Sequence, residues 1–236
     1  MQKLLSYTRK AIDTYNMIDD GDCIAVGVSG GKDSIALLHA MCRLKSFYSK
    51  KFTVKAITID MGYEESDFSC ISALCDSLDC EHIIEHTQIK QIVFDERKEK
   101  NPCSLCANLR RGALNNAAMA NGCNSVALGH HYDDAVETFM MSLLYEGRLN
   151  CFIPVTKLER CDIKIIRPLI YTPEYYINSL KNRYEFPVFK NPCPADKVTK
   201  REEVKELLNT LSQKDADVKK RIFSALHAIP EWNDKN

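Results

Sequence analysis

The chain is 236 residues long, 45% hydrophobic and 27% charged, and its 32 basic side chains balance 32 acidic ones. That length suits one large domain, or one domain with a helical annex, and that composition suits an ordinary soluble core. Zero net charge removes any global electrostatic argument for a nucleic-acid partner, and a local basic patch would not show in the sum.

Apolar runs fall short of the roughly 18–20 residues that span a bilayer. The N-terminus carries no signal-peptide core. A cytoplasmic protein without membrane contact is therefore expected. In chain order, residues 1–20 read as an amphipathic N-terminal helix with Leu4, Leu5, Ala11, Ile12 and Ile18 on its apolar side. "CIAVGVS" (23–29) is a short apolar strand running into glycines, and "SIALLHAMCRL" (34–44) a helix. "FTVKAITID" (52–60) is β-branched and ends on an acid. Residues 66–79 have helical spacing and "EHIIEHT" (81–87) alternates as a strand. A polar stretch (88–101) precedes a helix over 105–120.

"SVALGHH" (125–131) is a further strand and "DDAVETFMMSLLYEG" (133–147) a strong helix, with Met140, Met141, Leu143 and Leu144 as core contributors. "DIKIIRPLI" (162–170) is the last strand, followed by helical patterns at 173–184, 199–213 and 215–228. Strands alternating with helices predict an α/β fold, a doubly wound parallel sheet of about five strands with N- and C-terminal helices. The expected organisation is a helix over 1–20, a nucleotide-binding domain over 21–195 and a helical extension over 196–236.

"AVGVSGGKDSIALL" (25–38) lies between a strand and a helix, at the sheet edge where open α/β folds bind ligands. Gly30 and Gly31 allow successive backbone N–H groups to turn inward as an anion nest, backed by a helix N-terminus. Ser29 and Ser34 add hydroxyl donors and Lys32 a mobile counter-charge. It is not a Walker loop, because Val26 rather than a glycine stands six positions before Lys32 and Asp33 replaces the usual Ser or Thr. The plainer reading, a tight turn without a ligand, would suffice for two bare glycines but leaves Lys32, Asp33 and Ser34 without a role.

"SGGKDS" resembles the PP-loop of the ATP-pyrophosphatase superfamily, whose members split ATP between its α- and β-phosphates and adenylate a carbonyl oxygen. The resemblance implies an adenine-nucleotide α-hydrolase-like fold, with Ser29, Gly30, Gly31, Lys32, Asp33 and Ser34 around ATP and Mg²⁺. Asp60, ending the second strand, matches an acid near the reaction centre in relatives, and a loop or capping role explains it equally well. "GHHYDD" (129–134) offers two His and two Asp in the manner of a metal site, and one of Asp133 and Asp134 suits a helix cap. The same residues resemble the second signature of PP-loop tRNA-modifying enzymes. That match implies that Gly129, His130, Asp133 and Asp134 lie against ATP and substrate, with Glu137 and Thr138 completing the pattern.

Eleven cysteines, an odd number, in a chain of this size read as buried, metal-bound or catalytic rather than disulfide-bonded. Asn101 suits an N-cap and Pro102 a first helical position, which sets Cys103 and Cys106 one turn apart near a helix N-terminus. Cys193, between Pro192 and Pro194, sits in a stiff turn. Three thiolates do not complete a zinc tetrahedron, but they can hold three irons of a cubane and leave the fourth open. Cysteines 23, 42, 70, 75, 80, 123, 151 and 161 read as core or surface bystanders.

"PCSLCANLRRGAL" after the PP-loop, then "GHHYDD", "RPLIY" and a late "PCP", is similar to the tRNA 2-thiocytidine synthetase branch over roughly residues 20–195. That resemblance implies Cys103, Cys106 and Cys193 as ligands of a [4Fe-4S] cluster. It also implies tRNA as substrate, a sulfide or persulfide donor, C2-thiolation through an adenylated pyrimidine and a homodimer. "PCPADKVTKREE" departs from the branch, placing Asp196 and Lys197 where a second Cys and a polar run are usual. Arg110 and Arg111 offer RNA contacts. Lys197, Lys200, Arg201, Lys219, Lys220 and Arg221 form either a phosphate-contacting face or solvated helix faces interleaved with acids. Rival readings are a PP-loop amine ligase, a thiolase acting on a free small molecule, and a nucleotide-binding iron–sulfur or zinc redox sensor.

Overall fold

A computed structural model describes residues 1–64, 66–97, 102–159, 161–188 and 200–233. Eight α-helices and six strands are the main elements among these residues: α1 (Gln2–Thr14), β1 (Asp22–Gly27), α2 (Lys32–Leu44), β2 (Phe52–Asp60), α3 (Ser69–Ser77), β3 (Glu81–His86), α4 (Pro102–Ala120), β4 (Ser125–Ala127), α5 (Tyr132–Met141), β5 (Val155–Leu158), β6 (Ile163–Ile166), α6 (Glu174–Arg183), α7 (Lys200–Lys214) and α8 (Val218–Leu226). One sheet holds all six strands in the order β3-β2-β1-β4-β6-β5. Every pairing is parallel except the edge hairpin β5–β6. From β1 the order runs outward in both directions, so the carboxyl ends of β1 and β4 flank the switch point where such sheets open a crevice.

β1 is buried on both faces, and its side chains alternate between two cores. Ile24 and Val26 join the large core with α1, α2, α5 and the C-terminal helices. Ala25 faces the smaller one, with Ile57, Val126 and Leu114 and Ala118 of α4. Period-two alternation with helices on both faces explains a continuous apolar strand in place of a polar–apolar pattern. Trp232, fully buried, donates from Nε1 to the Tyr15 hydroxyl at 3.1 Å, and Tyr171 bonds the same oxygen at 3.0 Å. The two ends of the chain therefore share one core.

The expected doubly wound α/β sheet is present, and it has six strands where about five were expected. The missed strand, β5, is four residues long, follows Pro154 and alternates too weakly to stand out. It pairs antiparallel through a short turn in which Asp162 takes φ 46°. α1 ends at Thr14 and does not run to residue 20, because Asn16 adopts a left-handed φ of 47° and Met17 and Ile18 turn into the core. α5 gives way at Ser142 to a π-turn that Gly147 closes with φ 64°. That change of winding rotates Leu143 and Leu144 outward, to 40% and 51% exposure, so they are not core residues.

Candidate active site

The phosphate loop leaves β1 at Val28, whose N–H is held by the Ile57 carbonyl at 2.8 Å. Gly30 then takes φ 80°, open to glycine at no steric cost. Ser34 closes the loop from inside the helix: its hydroxyl donates to the Gly31 carbonyl at 2.8 Å and accepts the Ser29 N–H at 3.3 Å. Among the described residues no side chain caps α2, so its first N–H groups remain available to an anion.

Lys32 turns back from the loop. Its ammonium lies 2.9 Å from Asp33 Oδ1 and 3.1 Å from Glu174 Oε1 at the start of α6. Burial opposes its charge, and Asp33 and Glu174 outweigh burial and raise its pKa. Glu174 also pairs with Lys205 of α7 at 3.0 Å. Burial opposes the Glu174 charge as well, but the two lysines bring its carboxyl down to about 2.

Gly129 passes so close to α2 that a Cβ there would stand 3.1 Å from Asp33 C and Ser34 N. The bare glycine brings the second motif against the first. His131, 3% exposed, caps α5: its Nδ1 accepts the Asp134 N–H at 3.3 Å, and Asp134 Oδ2 accepts the His131 N–H at 2.9 Å. An accepting Nδ1 puts the proton of a neutral ring on Nε2, which faces Asp33 Oδ1 at 3.6 Å. Asp134 thus occupies the third helical position of a capping box, and the cap itself is His131. Burial, with Arg167 next in effect, pushes His130 down to about 4, leaving a neutral imidazole against Phe152 at 4.8 Å.

A cavity of about 650 Å³ gathers much of this machinery. Ser29, Asp33, Ser34, Gly129, His130 and Asp134 line it together with Ala107, Arg110, Arg111 and Leu114 of α4. Ile57–Ile59 and Arg167 close it from the sheet edge. Cys103 and Cys106 occupy the first turns of α4, exposed and half-buried respectively, and Cys106 directly precedes the wall residue Ala107. Cys193, Asn101, Asp196 and Lys197 lie outside the described residues.

Several candidates stand elsewhere. Asp133 is not among the lining residues; it accepts the Glu174 N–H at 2.7 Å and pairs with Lys219 of α8 at 2.9 Å. Asp60 sits at the rim between lining residues Ile59 and Met61, accepting the Gly62 N–H at 2.9 Å and bonding His86 Nδ1 at 2.8 Å. Arg201, with its side chain 42% exposed, is paired with acids of α5. It bonds Asp134 at 3.0 Å and Thr138 at 3.2 Å and lies 3.8 Å from Glu137. Lys200 covers the Tyr145 ring, Arg221 pairs with Asp215 and Lys220 is exposed.

Arg167, Glu174 and Phe152 were not singled out as site residues. Arg167 opens "RPLIY", a motif that carried a resemblance but no assigned chemistry. Glu174 begins an ordinary surface-looking helix, and only packing sets it beside Lys32.

The architecture and site are those of a PP-loop nucleotide-binding protein. A PP-loop domain family model matches residues 4–211, and the chain belongs to that family. A tRNA-cytidine(32) 2-sulfurtransferase of Geobacter metallireducens is 36% identical over 230 residues, 95% of this chain and 89% of the relative. One of Legionella pneumophila is 34% identical over 249 residues, spanning 100% of this chain and 87% of its own. Among solved structures, the U34-tRNA thiolase NcsA from Methanococcus maripaludis with its [4Fe-4S] cluster has a TM-score of 0.77. It is 24% identical, over 95% of this chain and 77% of that one, a likeness that speaks for the fold.

Proposed function

We propose that this protein is an ATP-dependent sulfurtransferase that replaces the C2 oxygen of a cytidine in tRNA with sulfur. The observation that carries the reading is the single cavity shared by the phosphate loop, the Gly129–His130 strand end and the α4 wall one residue past Cys106. It occurs in a chain 34–36% identical, along nearly its whole length, to enzymes named for that reaction.

In this reading the β- and γ-phosphates of ATP rest on the loop amides and on Ser29 and Ser34, with Lys32 as counter-charge. Asp33 and Asp134, approaching from two helix starts, would hold Mg²⁺ beside them. The pyrimidine O2 attacks the α-phosphorus and pyrophosphate departs, so the base carries an adenylyl ester at C2. Sulfide then adds at C2, and AMP leaves with the former carbonyl oxygen. Neutral His130 and the apolar sheet edge (Ile57, Ile59, Leu128) restrict water around the ester, which protects it from hydrolysis.

Cys103 and Cys106, one turn apart at the start of α4, suit two corners of an iron–sulfur cube, and Cys193 is the third ligand in this reading. A [4Fe-4S] cluster on these thiolates would supply an iron with an open position for a sulfur ligand. Anaerobic incubation with tRNA, Mg-ATP and sulfide, followed by nucleoside mass spectrometry, tests the proposal. ATP-dependent 2-thiocytidine is expected. ATP turnover that leaves the nucleosides of tRNA unchanged overturns it.

A further inference from the structure

One buried cation of the cavity wall has no carboxylate partner among the described residues. Arg167 is 9% exposed and lines the cavity wall, and its Nε has no hydrogen-bond partner. On its other edge Nη1 donates to two neutral acceptors, the Ile153 carbonyl and Thr156 Oγ1. The guanidinium stacks over Phe152 at 5.1 Å, which fixes its plane. The groups that act on it are Cys151, whose thiol burial pushes up to about 12, and a second cation, Arg111 of α4. Burying a guanidinium without a counter-charge is costly, and a second arginine beside it adds repulsion. A ligand anion removes both costs.

We propose that Arg167 and Arg111 form a second phosphate subsite that grips the α-phosphate of ATP and retains it after pyrophosphate leaves. The inference rests on the reading that ATP is split between its α- and β-phosphates. Arg167 brings an uncompensated guanidinium to the cavity wall, and Arg111 of α4 lines the same cavity, so the two cations can meet one phosphate. The loop amides, Ser29 and Ser34 line the same cavity and serve the phosphates that depart together. Splitting ATP across two subsites lets pyrophosphate dissociate while the adenylyl group stays on the base. During attack of O2 on phosphorus, both guanidiniums also offset the charge that builds on the α-phosphoryl oxygens. A tRNA phosphodiester fits less well, because Arg167 is recessed in the wall where a nucleotide enters more readily than a continuous backbone.

The test titrates AMP and pyrophosphate separately into the full-length protein and into Arg167→Met, Arg167→Lys and Arg111→Met, by calorimetry. AMP affinity is expected to fall tenfold or more in both Met variants and less in Arg167→Lys, with pyrophosphate affinity within about twofold of the parent in all three. Unchanged AMP affinity, or equal loss of AMP and pyrophosphate, overturns the proposal. So does a loss confined to binding of an anticodon stem-loop RNA. If Arg167→Met does not fold, Arg111→Met decides, since Arg111 is exposed on α4 and its removal leaves the core intact. The AMP–pyrophosphate split is read without thiolation. A protein that shows it but makes no 2-thiocytidine keeps the subsite and loses the proposed function, and the converse result does the reverse.

Discussion

Glu174 Oε1 lies 3.1 Å from Lys32 Nζ, so the helix that follows the last strand holds the lysine of the phosphate loop. The same carboxylate takes Lys205 of α7, and its N–H is held by Asp133. Glu174 is therefore a junction between the phosphate loop, α5 and α7. Replacing it with Gln is expected to free Lys32, raise the KM for ATP several-fold and cost roughly 1–2 kcal/mol of stability. Its carboxyl is lowered from 4.5 to about 2, so its stabilisation is complete above pH 4.5 and lost as pH falls toward 2. Chemical denaturation at pH 7 and pH 3 checks this: the gap between parent and Glu174→Gln should narrow at the lower pH.

Glu137 behaves in the opposite sense. It is 4% exposed; burial first, then Asp134, raises its carboxyl to about 7 against the pull of Arg201 and Lys205. The folded state then binds a proton that the unfolded state has released. The stabilisation is full below pH 4.5 and disappears as pH rises through 7. At about 1.4 kcal/mol per unit, the effect is up to ~3 kcal/mol across that window. Glu137→Gln is expected to flatten the fall in stability between pH 5 and 8, as read by melting curves at several pH values.

Gly129→Ala tests the contact between the two motifs. The added Cβ would stand 3.1 Å from backbone atoms of Asp33 and Ser34, which cannot step aside as a flexible side chain can. A cost of ~1–3 kcal/mol is expected from such overpacking. ATP binding should weaken tenfold or more, since the shift falls on the phosphate loop itself. Calorimetric ATP titration beside a melting curve separates the two effects, and wild-type ATP affinity in this variant would show that the approach is not needed for binding.

The cysteine assignment predicts about four irons and four sulfides per chain after anaerobic reconstitution. Cys103→Ala, Cys106→Ala and Cys193→Ala should each lose the cluster absorption while ATP affinity stays within about twofold, because none of the three belongs to the phosphate loop. Full iron content in the Cys193 variant would remove that residue from the ligand set.

Much of the fold was legible because its signals are local. β2 was expected over 52–60 and forms there, since a β-branched run bounded by polar residues leaves few alternatives. The glycine loop falls between strand and helix as its sequence suggests. β5 was not legible, because four weakly alternating residues become a strand only when β6 offers an edge. Leu143 and Leu144 looked like core under α-helical periodicity, and a π-turn changed the winding beneath them.

The sequence by itself determined the alternation of strands and helices, the phosphate loop at a strand end and the pair Cys103–Cys106 at a helix start. Each rests on neighbours within a few residues, where periodicity, glycine and helix-end chemistry act. Tertiary structure alone decided that Glu174 would hold Lys32, that Asp133 would face α6 and α8, and that Arg167 would be buried beside the cavity with its Nε free. Those outcomes depend on which elements the sheet order sets side by side. Charge pairing between segments far apart in the chain leaves no trace in local spacing.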